Sequence, residues 1–239
     1  MTPRRLGDII DGNETEERTQ QDFLQVAGHF DRLRSDRPTH HVLGNHCLAI
    51  ARPQLYQALH LTAPYYSFSL QGWRFLVLDA VDMSVKWPED TPNHQMAKKW
   101  LEEHLLLEKA QFWNGGFLAE QLRWLETNLA EADSRGEKVL LFSHIPVAEG
   151  AATAKHLIFN DEEVFAILDQ HSSVFAWLSG HFHQGGYTLR KGVHHVTFEA
   201  VLEAPLEKNS YGVIELYDEK AVISGHGVLT SRTLMKEKH

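Results

Sequence analysis

AWLSGHFHQGGY, residues 176–187, is an apolar run that stops at glycine and is followed at once by two histidines one residue apart. The chain has 16 histidines in 239 residues, so about one such pair arises by chance. The pair decides nothing by itself, but the pattern around it does. EKVLLFSH (137–144) is a second apolar run, ending at His144. THHVLGNH (39–46) ends at Asn45 and His46, and LGD (6–8) ends at Asp8. Runs of four to eight apolar residues between turn signals read as strands covered on both faces, the habit of parallel strands inside an α/β sheet.

Working outward, helical patterns alternate with these runs. Residues 14–34 place Phe23, Val26, Phe30 and Leu33 at helical spacing. Residues 52–60 read as a short helix with Pro53 in its first turn. YYSFSLQGWRFLVLDAVD (65–82) reads as a hairpin turning at Gln71-Gly72. Residues 94–110 read as a helix. GFLAEQLRWLETNLAEA (116–132) carries Leu118, Leu122, Leu125 and Leu129 on one stripe. DEEVFAILDQH (161–171) starts a helix with acidic residues at its positive end. From 193 to 229 the pattern changes to alternating segments between turns, as in antiparallel strands. The order predicts a mixed-sheet α/β fold, organised as a single domain over 1–239.

Composition excludes several classes. The apolar fraction is 43% and the charged fraction 23%, ordinary for a globular core. A net charge of −9 argues against a nucleic-acid binder, which needs clustered Lys and Arg. No run approaches the ~18 apolar residues that span a bilayer, and the start MTPRRLGDII lacks the apolar stretch of a signal peptide. The one cysteine, Cys47, permits no internal disulfide and fits a reducing compartment. These features predict a soluble, cytoplasmic monomer with no nucleic-acid or membrane partner.

The strand endings carry the chemistry. In open α/β sheets ligands bind beyond the carboxyl ends of the strands. Four apolar runs stop there at Asp, Asn or His, all competent to bind metal. A carboxylate, an amide oxygen and imidazoles suit Mn²⁺, Fe or Zn²⁺ better than a soft copper site. Gly185 and Gly186 read as leaving room beside the histidines for a ligand.

Taken in order, GDIIDGN (7–13), GNH (44–46), SHIP (143–146) and GHFH (180–183) resemble four of the five motifs of the calcineurin-like metallophosphoesterases. The motif-bearing part runs over 6–187. GDIIDGN, LDAVD, WNGGF and GHFHQGGY resemble one branch, the manganese-dependent ADP-ribose/CDP-alcohol diphosphatases. The resemblance implies a four-layer αββα sandwich of two mixed sheets with a two-metal site at the strand ends. Mn²⁺ is the implied cation, with Mg²⁺, Fe or Zn²⁺ as alternatives. Carried over residue by residue, Asp8 is the carboxylate bridging both metals, and Asn45, His144 and His181 are ligands of one. His183 is a ligand of the other, and His46 is the non-ligand histidine facing the phosphate and the leaving group. Asp11 orients the site from behind. The implied reaction is hydrolysis of a diphosphate linkage in a small nucleotide by metal-bound hydroxide, with two cations ~3.5–4 Å apart stabilising the in-line transition state.

The likeness has departures. The family's first motif, a strand ending in Asp-X-His or Asp-X-Gln, has no counterpart, and seven residues precede Asp8. This reads as an N-terminally truncated member with a weakened second metal site. The rivals are therefore an impaired remnant that binds one metal or a nucleotide, and a phosphomonoesterase or cyclic-nucleotide phosphodiesterase on the same scaffold. Cys47 stands where the family carries an acidic residue and reads as a small buried hydrophobe. Adjacent histidines on a strand point to opposite faces, so His40, His41, His194 and His195 read as surface or core residues. Asp79 and Asp82 read as loop or cap residues as readily as ligands. In QFWNGGFL (111–118), Phe117 is either a staple at a helix start or a platform for the nucleotide base.

Overall fold

The computed structural model describes residues 4–33, 38–205 and 208–237. In chain order the strands and helices are β1 (Arg4–Arg5), α1 (Glu16–Leu33), β2 (His40–His41), α2 (Arg52–Leu59), β3 (Tyr66–Leu70), β4 (Trp73–Val77), α3 (Pro92–Glu103) and α4 (Ala119–Arg135). There follow β5 (Lys138–Phe142), α5 (Asp161–Leu168), β6 (Val174–Ser179), β7 (Gly186–Arg190), β8 (Val193–Thr197), β9 (Tyr211–Leu216), β10 (Lys220–His226) and β11 (Arg232–Met235).

A six-stranded sheet of order β3-β4-β5-β6-β8-β7 is the frame. β4, β5, β6 and β8 run parallel, and the edge strands β3 and β7 are antiparallel to their neighbours. The parallel strands are the ones whose sequences read as unbroken apolar runs: every residue of β4, β6 and β8 is buried. Alternation sorts their side chains to two cores. Leu76, Val139, Leu141 and Trp177 pack against Phe23 of α1, Leu55 of α2, Leu125 and Leu129 of α4, and Val164 of α5. Phe75, Val77, Leu140, Phe142 and Leu178 pack against Ala221, Ile223 and Leu234 of the antiparallel sheet β11-β10-β9. Burying each such Leu or Phe contributes about 1.5–3 kcal/mol over leaving it exposed. The result is a mixed α/β sandwich, sheet against sheet with helices outside the large sheet. β1 and β2 form a short parallel pair, bringing their carboxyl ends together.

Local chemistry explains most boundaries. Gln71 and Gly72 take φ of 49° and 79°, the paired positive values of a tight hairpin turn, where the sequence placed one. Thr91 caps α3, its Oγ1 accepting from the His94 N–H at 3.3 Å. Phe23 and Phe30 are buried along α1 as their spacing predicts, whereas the Leu33 side chain lies outside the described residues.

Two expectations are corrected. The helix expected over 94–110 ends at Glu103. Leu105, Leu106 and Leu107 are consecutive rather than helically spaced, so no single face could bury them, and all three are exposed. The segment 193–229 is not one antiparallel block. β8 lies inside the large sheet, parallel to β6 and antiparallel only to β7.

Candidate metal centre

The strand ends deliver the site. Asp8 follows β1, Asn45 and His46 follow β2, His144 follows β5 and His181 follows β6. The backbones approach so closely that a Cβ at Gly7 would strike the His144 ring and one at Gly44 the Asp8 carboxylate. Asp8 and His181 themselves hold φ of 44° and 66°. Left-handed backbone at a non-glycine residue costs on the order of 1–3 kcal/mol. At His181 it forms the centre of a three-residue turn, closed by the Phe182 N–H donating to the Gly180 carbonyl at 2.7 Å.

Asp8, His144 and His181 each offer one ligand atom, and these atoms all lie within 4.8 Å of one another. His144 is 2% exposed. Its Nδ1 contacts the Leu6 carbonyl at 2.5 Å, and its Nε2 faces Asp8 Oδ2 at 2.9 Å, Asn45 Oδ1 at 2.9 Å and His181 Nδ1 at 3.2 Å. One carboxylate oxygen, one amide oxygen and two ring nitrogens therefore converge. That donor set fits a divalent cation of the Mn²⁺, Fe or Zn²⁺ type.

Electrostatics follow from the same contacts. Burial alone would raise the Asp8 pKa, but His144 and His46 outweigh it and hold the carboxyl down at about 2. Burial disfavours charge on His144, yet Asp8 raises its pKa above the ordinary value. His181 is pushed well below its ordinary value, first by burial and then by His144. Asp8 and His144 thus share the charge, and His181 stays neutral.

His46 is half-exposed at the rim. Its backbone N–H donates to Asp8 Oδ1 at 2.9 Å, and its ring Nδ1 lies 2.9 Å from the Asp11 carbonyl and 3.0 Å from the Asp11 carboxylate. That leaves Nε2 as the ring edge available to a ligand. Asp11 is 92% exposed and touches His46 rather than the converging donors.

Several expected site residues lie elsewhere. His183 stands outside the cluster, its Nδ1 3.2 Å from Glu203 Oε1. Phe117 is not a platform. It is 2% exposed and meets Trp177 edge-on in the core, because burying a phenyl ring outweighs displaying it. Gly185 and Gly186 do not leave room for a ligand. A Cβ at Gly186 would strike the Ala151 carbonyl, and one at Gly185 would sit 2.8 Å from Glu199. Asp79 and Asp82 are loop and cap residues: Asp79 pairs with Arg52 at 2.6 Å, and Asp82 accepts from the Leu118 N–H at the start of α4.

Two residues not read from the sequence border the cluster. Asn114 is wholly buried, with Oδ1 2.8 Å from His181 Nε2. His156 places its ring 5.6 Å from that of His181 and anchors Nδ1 on Thr153 Oγ1 at 2.8 Å. The signal for Asn114 was an amide before a double glycine in WNGGF. For His156 there was none beyond its place after SHIP.

Comparison with known proteins agrees with this geometry. The profile of the calcineurin-like phosphoesterases matches residues 6–185. The manganese-dependent ADP-ribose/CDP-alcohol diphosphatase of Oryza sativa subsp. japonica is 38% identical over 241 residues, covering 92% of this chain and 74% of its own. The human protein of that name is 32% identical over 268 residues, covering 98% and 78%. A crystal structure of a dimetal phosphatase from Danio rerio superposes with a TM-score of 0.87 at 29% identity, covering 99% of this chain and 84% of its own.

Proposed function

The chain belongs to the calcineurin-like phosphoesterase family, and on that premise we propose that it hydrolyses, with manganese, the diphosphate linkage of ADP-ribose or CDP-alcohol type nucleotides. The observation that carries the reading is the convergence of Asp8, His144 and His181 within 4.8 Å, with the Asn45 oxygen at the same ring nitrogen of His144. Asp8, Asn45, His144 and His181 are the residues that hold the cation. A divalent cation in that position supplies positive charge against phosphate oxygens and acidifies water.

The chain's own groups do the rest. Water adds to one phosphorus and the bridging P–O bond breaks, releasing a nucleoside monophosphate and a second phosphate ester. His46, anchored through Nδ1, gives a proton from Nε2 to the departing oxygen. Asp11 and the backbone around it hold that ring against the open side of the cluster. All the donors come from one chain, which supports action as a monomer. A single buried thiol, Cys47, supports a reducing, cytoplasmic setting. Among the described residues no helix is long and apolar enough to cross a membrane.

The test is incubation of the chain with ADP-ribose and with CDP-choline, each with Mn²⁺ and with a chelator. AMP and CMP are expected to appear only with Mn²⁺, and faster than phosphate from p-nitrophenyl phosphate. Absence of metal-dependent nucleotide release, or faster release from the monoester, overturns the reading.

A further inference from the structure

The NGG loop is held on both sides. Met83 and Gly116 exchange backbone hydrogen bonds at 2.9 and 3.0 Å, and the Phe159 N–H donates to the Gly115 carbonyl at 2.8 Å. Neither glycine tolerates a side chain. A Cβ at Gly115 would strike the Ala80 carbonyl, and one at Gly116 would lie 2.6 Å from Asn160 Oδ1. The loop therefore cannot drift, and Asn114 is fixed in the interior with none of its surface exposed.

The orientation of the Asn114 amide follows from its neighbours. The Nδ2 group donates to the Lys109 carbonyl at 2.9 Å and to the Lys155 carbonyl at 2.8 Å. Both partners are acceptors only, so both amide protons are used. A flipped amide would set Oδ1 against two carbonyl oxygens. Oδ1 must then face His181 Nε2 at 2.8 Å, and an oxygen there requires the proton on Nε2. A neutral imidazole carries one proton, so the lone pair is on Nδ1, the atom 3.2 Å from His144 Nε2 in the cluster.

His144 is arranged the opposite way. Its Nδ1 donates to the Leu6 carbonyl, and Nε2 faces Asp8 and Asn45. The two histidines offer different ring atoms, each fixed by an oxygen behind it.

Resting on the reading above, we infer that Asn114 is a positioning residue: it locks His181 in the tautomer protonated on Nε2 and makes Nδ1 the atom given to the cation. No charged group does this work, only a buried amide whose other hydrogen bonds leave it no choice. Such partners behind a ligating histidine typically change metal affinity by ~10–100-fold when removed.

The experiment has two arms. In the metal-free, unaltered chain, long-range ¹H–¹⁵N correlation of histidine-labelled protein reads the His181 tautomer, assigned with His181→Gln. A signal from an Nε2-protonated ring is expected, and an Nδ1-protonated ring overturns the inference. In Asn114→Ala, Mn²⁺ affinity by equilibrium dialysis is expected to fall ~10–100-fold, with the His181 signals shifting towards a tautomer mixture. Unchanged signals with unchanged affinity overturn it. Should Asn114→Ala fail to fold, the first arm still decides. If the unaltered chain binds no Mn²⁺, the catalytic reading falls, while the metal-free spectrum separately decides the lock.

Discussion

Two polar clusters sit just beyond strand ends in this molecule, and only one of them is closed. Beyond β4, Asp79 is wholly buried and accepts from Arg52 Nη1 at 2.6 Å and from the Val81 N–H at 3.2 Å. Arg52 Nη2 donates to the Val81 carbonyl at 3.0 Å, and the guanidinium lies 3.8 Å over the Trp87 ring. Gln121 bonds the Asp79 backbone on both edges of its amide. Charge meets charge and donors meet acceptors. In the cluster of Asp8, Asn45, His144 and His181, by contrast, lone pairs face one another: two ring nitrogens stand 3.2 Å apart, with amide and carboxylate oxygens each 2.9 Å from one of them. Residue types alone do not separate the two, since both hold aspartates beyond an apolar strand. What separates them is whether the group completes its own valences or waits for a cation to do so.

That contrast breaks first at Asp8. Asp8→Ala removes the one carboxylate of the open cluster, and Mn²⁺-dependent nucleotide release is expected to fall on the order of 10³-fold or more, with Mn²⁺ binding lost alongside. The fold should persist, because Asp8 sits on a strained backbone and braces no core residue. A variant that kept its turnover would show that the converging lone pairs are an accident of packing.

The closed cluster should answer in the opposite currency, stability without chemistry. Arg52→Ala leaves the Asp79 carboxylate buried and unpaired, which costs about 3–5 kcal/mol. Chemical denaturation at neutral pH reads the loss. Mn²⁺ affinity of the folded fraction should stay at the unaltered value. A normal stability with lost metal binding would place Arg52 in the wrong cluster and undo the comparison.

A finer mark of the closed cluster is Asp82. Burial first, and then neighbouring Asp79, raise its carboxyl to about 6 in the folded chain, against 3.8 for the free group. A raised carboxyl favours the folded state while protonated. Its contribution is therefore complete below about pH 3.8 and is lost as pH rises through about 6. Between pH 4 and pH 7 the unaltered chain should lose on the order of 1–3 kcal/mol relative to Asp82→Asn, which has no proton to release there. Melting both proteins across that range measures the difference, and parallel curves would refute the shift.

How far these clusters were readable in advance differs with their chemistry. Where a strand stops is a local fact, and the stops at Asp8, Asn45, His144 and His181 are visible as apolar runs ending in a polar residue. Their meeting follows once the strands are parallel. The direction of a side chain in a loop is not local. Phe117 turned inward because the core beside Trp177 had space for it. Gly186 is small because another loop lies against it, and no spacing encodes that. Asn114 finds its partner 67 residues away, across two elements. The partner of β8 is likewise a matter of sheet order rather than of its own alternation. Sequence reading thus located the metal-competent atoms well and the residues that hold them poorly.

The smallest effect belongs to the pair at the rim, where the open cluster meets solvent. Asp11 lies 3.0 Å from the His46 ring, but its side chain is 92% exposed, so water and salt screen the attraction. The Asp11 carbonyl grips the same Nδ1 at 2.9 Å, and Asp11→Asn leaves that backbone contact in place. The aim of the His46 ring should therefore survive the change, and only the screened charge is lost. Turnover is expected to drop no more than about fivefold at low salt, the range of an exposed ion pair, and the deficit should shrink as ionic strength rises. Steady-state rates on ADP-ribose at two salt concentrations give the answer. A salt-independent loss of a hundredfold would mean that the carboxylate, not the backbone, aims His46, and that the cluster extends further towards solvent than its buried donors.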